Sequence, residues 1–187
     1  AGSGRDPTTL PCIFASAHGD LCINDYMCAT LASAPAQLSP IKFHNSVHNA
    51  AVGYWTIGTG CQQASNSLAS YDCSFAAGLL EAATQSACDA QAVLLVGFDV
   101  EAVGPLRQVH RCDALLAGAF VIAPTRTERS LAAFDWSLVP GPSTAFPLHS
   151  DAARQLPATA LADALPVFEA LARLPEADTA SPLRLPL

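Results

Sequence analysis

The sequence predicts an α/β fold with a mixed, mostly parallel sheet and a buried central helix. Residues 91–98 and 114–123 are continuous apolar runs, which are typical of strands covered on both faces of a parallel sheet. Residues 74–86 are rich in Ala and have almost no polar side, which predicts a helix buried on all sides. Because strands and helices alternate, we expect a βαβ layout.

Shorter patterns predict the other elements of this half of the chain. Residues 10–17 indicate a buried strand that is closed by a turn at His18-Gly19-Asp20. Residues 23–33 and 46–56 have helical patterns, separated by a loop with two prolines, and residues 68–71 are a short strand. One face of the second helix is predicted to carry Val47, Ala50, Ala51, Tyr54 and Trp55.

The last third of the chain is different in character. Residues 131–139 alternate, with Phe134, Trp136 and Leu138 on one side, and this pattern predicts an antiparallel strand with one solvated face. More than half of the 14 prolines follow this segment. We therefore expect one domain over residues 1–139 and an irregular, Pro-rich tail over residues 140–187, with one short helix at 166–174.

Composition excludes several classes of protein. The chain has 187 residues, of which 51% are hydrophobic and only 13% are charged, so we expect some of its surface to lie against a partner. A net charge of -7 and a single lysine, Lys42, give no reason to expect nucleic acid or an anionic membrane. The apolar runs are also far shorter than the ~20 residues that cross a bilayer.

The seven cysteines show no CxxC pair and no regular spacing, which argues against a disulfide framework, a zinc site or another metal site. Most lie in apolar runs, as free thiols do in a reducing cytoplasm. Residues 1–10 are polar and contain no signal peptide, and the lack of an initiator Met leaves room for residues upstream. No cofactor motif is present: Gly58 and Gly60 lack the Lys-Ser/Thr of a phosphate loop.

Cys73 is the candidate nucleophile, since it comes at the start of the predicted central helix. The helix dipole lowers the pKa of a thiol at this place and burial raises it. Spacing alone favours an inert, packed thiol. His44 and His48 are four residues apart and are expected to share a helix face, but no third ligand is near, so capping of the helix by Asn45 or Ser46 is favoured over metal binding.

Four segments together resemble a known family: LPCIFASAHGDL, SPIKFHNSVHNAAVGYWTIGTG, SLASYDCSFAAGLLEAA and AVLLVGFDVEA. They look like the N-terminal half of a β-ketoacyl synthase of the thiolase fold. More closely, they resemble the short chain-length factors of aryl polyene type pigment clusters. The likeness covers residues 10–124 and implies a thiolase-like N-terminal half.

The resemblance also implies what the chain lacks. In such synthases a Cys is acylated from an acyl carrier protein thioester, and His or Asn residues of the C-terminal half promote decarboxylation and stabilise the enolate. That half would begin after residue 123, and His149 there lies in a different setting, that of a solvated loop. When the family's helix is laid over this chain, the nucleophile position falls on Asp72, beside Cys73, and an Asp forms no acyl thioester.

The resemblance therefore implies a non-catalytic subunit that forms a heterodimer with a full ketosynthase and meets the acyl carrier protein through it. A homodimer is the other assembly considered. Two alternatives stay open: an active β-ketoacyl synthase or acyltransferase that uses Cys73 with a His of its own or of a partner, and a plain acyl-chain binder. The residues expected at the interface and the acyl tunnel are Phe43, His44, Asn45, Tyr54, Trp55, Tyr71 and Phe75.

Overall fold

The computed structural model describes residues 2–110, 112–141, 147–156, 159–173 and 183–187. Its strands form one sheet in the order β2-β1-β3-β4. β1 pairs in parallel with both β2 and β3, and β4 pairs antiparallel with β3. This confirms the mixed, mostly parallel sheet. The strands are β1 (Cys12–Ala15), β2 (Ser65–Leu68), β3 (Val93–Asp99) and β4 (Leu116–Ile122).

The two central strands are the apolar ones, and their side chains alternate between two cores. Ile13 and Leu95 face one core, while Cys12, Phe14 and Leu94 face the other. Burial on both faces explains why these strands show no polar alternation. The predicted strand at 68–71 is shifted, because β2 ends at Leu68 and is a polar edge strand with no apolar signature.

β4 does not continue the βαβ layout. The expectation that it is a further parallel strand, like β3, is wrong. Within its described residues, the connection from Asp99 to Leu116 contains only the four-residue helix α5 (Leu106–Val109), which is too short to serve as the crossover helix that parallel strands usually need. The chain therefore returns antiparallel beside β3.

Helices between β1 and β2 begin and end at clear signals. α1 (Leu21–Ser33) is capped by Asp20, whose side chain accepts a hydrogen bond from the Ile23 amide at 3.0 Å. The predicted loop contains a short helix, α2 (Pro40–Asn45), because Pro40 fits the first helical turn after the Ser39 cap. α3 (Ala50–Thr59) ends at Gly60, with φ 71°.

The predicted face of the second helix is wrong for Val47 and Tyr54, whereas Ala51 and Trp55 do pack against a core. α3 begins at Ala50 rather than at residue 46, so Val52 is buried and Trp55 packs against the same core. Tyr54 points outward with 54% of its surface exposed, and Val47 precedes the helix and is exposed too. Asn49 stands at the N-cap of α3 without a side-chain hydrogen bond.

The central helix α4 (Ser74–Asp89) covers the other face of the sheet. Phe75 is 0% exposed, and Gly78 lets the helix approach β1 so closely that a Cβ there would lie 2.9 Å from the Ala15 Cβ. The prediction of burial on all sides holds for the first two turns. The second half has an exposed side, which carries Glu81, Thr84 and Cys88.

Residues 131–139 form no strand, and that prediction is wrong. The segment has no regular secondary structure and pairs with no strand in the described part of the chain. The strand is predicted from the alternating pattern alone, and such a pattern does not show whether a neighbouring strand is available for pairing. Its large apolar side chains are exposed, namely Leu131, Phe134, Trp136, Leu138 and Val139.

The chain beyond residue 140 contains α6 (Asp151–Arg154), a 3-10 turn (Ala160–Ala164) and α7 (Leu165–Arg173). The predicted helix at 166–174 is confirmed as α7, although Leu174 lies outside the described residues. Leu161 is 1% exposed and belongs to the core beneath α4. This segment thus packs on the sheet, while the division at residue 139 stays a prediction. Among the described residues, no helix has the length and apolar character needed to cross a bilayer.

Candidate functional site

The carboxyl ends of the three parallel strands meet at one edge of the sheet. We call this the carboxyl edge: residues 16–20 after β1, 71–73 after β2 and 99–101 after β3. Open α/β sheets bind ligands at this kind of edge. Cys73, Asp72, Asp99 and His18 lie there.

Asp99 ties the ends of β1 and β3 together. Its Oδ1 accepts hydrogen bonds from the Ser16 hydroxyl at 2.9 Å and from the Ala17 amide at 3.0 Å. Burial raises the pKa of this carboxyl, because desolvation disfavours its charged form. Its Oδ2 is buried without a hydrogen-bond partner among the described residues.

Cys73 immediately precedes α4 and is half-buried. Burial raises the pKa of its thiol, and the charges of Asp163 and Asp72 raise it further. The thiolate that a nucleophile requires is therefore disfavoured.

Asp163, in the 3-10 turn before α7, explains part of this effect. Its Oδ2 accepts a hydrogen bond from the Ala76 amide at 2.9 Å, so a carboxylate already meets the positive end of α4. Burial raises the pKa of Asp163 to about 6. Sequence reasoning missed this residue because it placed the segment in an irregular tail.

Asp72, which is expected from resemblance at the family's nucleophile position, lies in the 3-10 turn Tyr71–Cys73 and is exposed. Tyr71 before it has a φ of 50°, which costs a side chain with a Cβ about 1–2 kcal/mol. The strain sets where the Tyr71 ring points.

Three rings meet at the carboxyl edge, and we call them the ring cluster: His18, Tyr71 and His110. Ring centroids are 4.1 Å apart for His18 and His110, 5.4 Å for His18 and Tyr71, and 5.5 Å for Tyr71 and His110, all edge-on. Burial and the neighbouring His110 lower the pKa of His18. No sequence pattern indicates that His18 and His110 lie in contact, although His18 directly follows a predicted strand.

The residues predicted for the interface and tunnel fall into separate places. Tyr54 donates a hydrogen bond to Asn45 Oδ1 at 2.6 Å, and its ring lies 6.4 Å from that of His44. Phe43 is exposed nearby on α2. Tyr71 belongs to the ring cluster, whereas Trp55 and Phe75 pack into the cores on opposite faces of the sheet.

The expected shared helix face of His44 and His48 is wrong. α2 ends at Asn45, so His44 lies in its last turn and His48 lies between two helices. His48 Nε2 is 2.8 Å from the Ser16 carbonyl oxygen. His149 is exposed, and its amide donates to Glu169 Oε2 at 2.8 Å.

The described residues contain no group of three or more His, Cys, Asp or Glu side chains placed to hold a metal ion. All seven cysteines are free. Burial raises the pKa of Cys12 to about 11, and the charge of the neighbouring Cys61 adds to this. Such thiols act as packing groups.

The sequence profile of the β-ketoacyl synthase N-terminal domain matches residues 4–174. Among solved structures, the chain is similar to the ketosynthase ApeO in complex with its chain length factor ApeC from Xenorhabdus doucetiae, with 31% identity and a TM-score of 0.55. The match covers 60% of this chain and 48% of that one, so this chain spans about half the length of its relative. No curated protein matches.

These findings confirm the ketosynthase-like, thiolase-type fold. The profile match extends through α7 and so includes the 3-10 turn that carries Asp163. From Gly4 to beyond the end of α7, this chain belongs to the family of β-ketoacyl synthase N-terminal domains.

Proposed function

We propose that this chain is a non-catalytic ketosynthase-like subunit, a chain-length factor that pairs with a full ketosynthase in the cytoplasm. By resemblance, the pathway is aryl polyene type pigment synthesis. The partner carries out the condensation and receives acyl groups from the acyl carrier protein. This chain completes the partner's interface and bounds its acyl tunnel.

The environment of Cys73 carries the proposal. Its thiol has a raised pKa, and the Asp163 carboxylate takes up the α4 amide that would otherwise stabilise developing negative charge beside it. Asp72 adds a second negative charge. All three features disfavour attack on a thioester, which requires a thiolate and a place for an oxyanion.

The exposed apolar surface supports pairing. Ile41, Phe43 and Val47 are exposed along α2 and the turn after it, and Tyr54 and Ile57 are exposed on α3. Ile57 alone has 79% of its surface in solvent. Soluble monomers rarely leave such a patch uncovered, whereas subunit interfaces cover it.

The effect on chain length is steric. Side chains at the tunnel end set how many extension cycles fit before the acyl chain meets a wall. Of the residues expected at the tunnel, Phe43, Tyr54 and Tyr71 are the exposed aromatic ones, whereas Phe75 is enclosed in the core of this chain.

The test is co-expression with each ketosynthase encoded in the same genome, followed by purification through a tag on this chain. The purified pair is assayed for condensation with malonyl-loaded carrier protein. We expect a one-to-one complex that condenses and a lone chain that does not. Condensation by the lone chain, lost in Cys73→Ser, would establish the enzyme alternative instead.

The tunnel role has its own test. Phe43→Ala, Tyr54→Ala and Tyr71→Ala complexes are compared by the product lengths that they release. At least one is expected to lengthen the product by one or more extension units, while the matched control Thr84→Ala, on the exposed side of α4, leaves it unchanged. Identical products from all four would refute the steric mechanism.

A further inference from the structure

Two buried polar atoms at the carboxyl edge lack hydrogen-bond partners within the described part of the chain. They are Asp99 Oδ2 and His18 Nε2. Asp99 is only 3% exposed. Folded proteins pair nearly all such atoms with protein groups, water or ligands, so each orphan points to a missing partner.

The sheet topology places these atoms where a ligand is expected. From β1 the chain moves to β2 on one side and then crosses to β3 on the other side. The strand order therefore reverses between β1 and β3, and open α/β sheets bind their ligands outside the carboxyl ends of the strands at such a switch point. His18 follows β1 and Asp99 ends β3.

Tyr71 is the third side chain at this switch point, beside His18 and His110. Its left-handed backbone holds the ring edge-on to both His18 and His110. Backbone strain in a residue other than Gly persists where the surroundings fix it, and it concentrates at functional sites. Tyr71 is 49% exposed whereas His110 is 7% exposed, so Tyr71 is the member of the ring cluster that connects it to the surface.

The charges around the cluster select a cation. Burial and the neighbouring His110 lower the pKa of His18, which favours its neutral ring, and Asp99, Asp72 and His48 act on it as well. The carboxylates here are those of Asp99 and Asp72, and Asp163 interacts with Asp99. Arg107, the described arginine on the neighbouring α5, is paired with Asp113 at 3.1 Å.

We propose that the ring cluster and Asp99 form a site for a guanidinium group, the side chain of an arginine on the protein that pairs with this chain. This assignment rests on the proposed function, because pairing supplies the arginine. A guanidinium fits better than an ammonium, since its plane stacks on aromatic rings and its donors form a fork that matches a carboxylate.

The test uses the full chain alone and Nα-acetylarginine amide as the probe. Side-chain nitrogen signals of the five histidines are followed by NMR during titration. We expect saturable shifts of His18 and His110, and weaker binding of Nα-acetyllysine amide. Shifts that stay linear, or that are equal for acetate, would overturn the proposal.

Variants define the site. Asp99→Asn keeps an acceptor for Ser16 and Ala17 and removes the charge, and we expect it to weaken probe binding by about tenfold, as for the loss of a charge-assisted hydrogen bond. His18→Gln provides an independent variant in case Asp99→Asn loses its fold. Unchanged binding in the folded variants contradicts the site.

Matched controls separate the cluster from general surface effects. Tyr71→Ala is expected to weaken binding, whereas Tyr54→Ala, which truncates a Tyr of similar exposure on α3, leaves it unchanged. Arg111→Gln tests the chain's own arginine next to His110. Binding should stay within about twofold, and a gain of about tenfold would show that Arg111 fills the site and would overturn the assignment to a partner.

The complex distinguishes this inference from the proposed function. If the unaltered chain pairs with a ketosynthase but Tyr71→Ala and Asp99→Asn pair equally well, the arginine site is refuted and the pairing stands. If the unaltered chain binds the probe but pairs with no ketosynthase, the proposed function fails together with the assignment to a partner's arginine. In that case only the statement that the chain has a cation site remains supported.

Discussion

The Asp163 carboxylate accepts a hydrogen bond from the Ala76 amide at 2.9 Å, and this contact links the C-terminal segment to the start of the central helix. Helix starts attract negative charge. Here the charge comes from a residue 87 positions later in the same chain. The contact fixes the segment in place and also raises the thiol pKa of Cys73.

Asp163 makes stability depend on pH in an unusual direction. Its pKa is about 6 in the folded chain against an ordinary 3.8, so between these values the folded state binds more protons than the unfolded state. Stability from this group therefore rises as pH falls, by about 1 kcal/mol between pH 7.5 and pH 5. Urea unfolding at both pH values measures it. In Asp163→Asn this increment is expected to vanish, and an equal pH response in both proteins would contradict the assignment.

Cys73 is expected to react slowly with iodoacetamide at pH 7.4, because its raised pKa leaves little thiolate. Peptide mass spectrometry compares its labelling rate with that of the exposed Cys28 and Cys88. Of the two carboxylates that raise the thiol pKa, Asp163 has the larger effect. Asp163→Asn removes its charge, so labelling of Cys73 should become faster. Labelling of Cys73 ahead of Cys88 in the unaltered chain would show an activated thiol.

Gly118→Ala tests the docking of α7 on the sheet. A Cβ at Gly118 would lie 2.1 Å from Phe168 Cζ, so the Phe168 ring must move from its stack on Phe120. The free energy of unfolding should fall by about 1–3 kcal/mol. Gly53→Ala is the control, because it has open space and helix propensity favours it by up to about 1 kcal/mol. Similar effects of both substitutions would argue against this packing.

Phe75 and Phe43 are expected to differ sharply when truncated. Phe75 is fully buried among Phe120, Phe168 and Leu161, so Phe75→Ala should cost about 3–5 kcal/mol of unfolding free energy. Phe43→Ala, at an exposed site on α2, should change it by less than about 0.5 kcal/mol. Denaturant melts of the lone chain measure both, and a small loss at Phe75 would place its ring outside the core.

Sequence reasoning found the strands and helices whose burial is complete. β1 and β3 carry continuous apolar runs because both of their faces are covered. It shifted β2 and misplaced the face of α3, since a polar edge strand and two helices joined at Ser46–Asn49 leave no periodic pattern. Residues 131–139 have the alternating pattern of a strand, but they pair with no strand in the described part of the chain.

The candidate site was only partly accessible to such reasoning. Cys73 and Asp72 could be selected from the start of a helix and from resemblance. The ring cluster could not, because His18 and His110 are brought together by the pairing of β1 with β3. Asp163 could not be selected either, because its hydrogen-bond partner Ala76 is remote in sequence.

The exposed apolar side chains have a consequence for the life of this protein in a cell. Leu131, Ile57 and Val109 each leave more than three quarters of their surface in water, and chaperones and proteases recognise such surface. Under the proposed pairing, a copy without its partner is therefore expected to be a substrate for quality control. Its abundance should follow the supply of whatever covers these residues, so that synthesis in balanced amounts becomes a requirement of the fold itself.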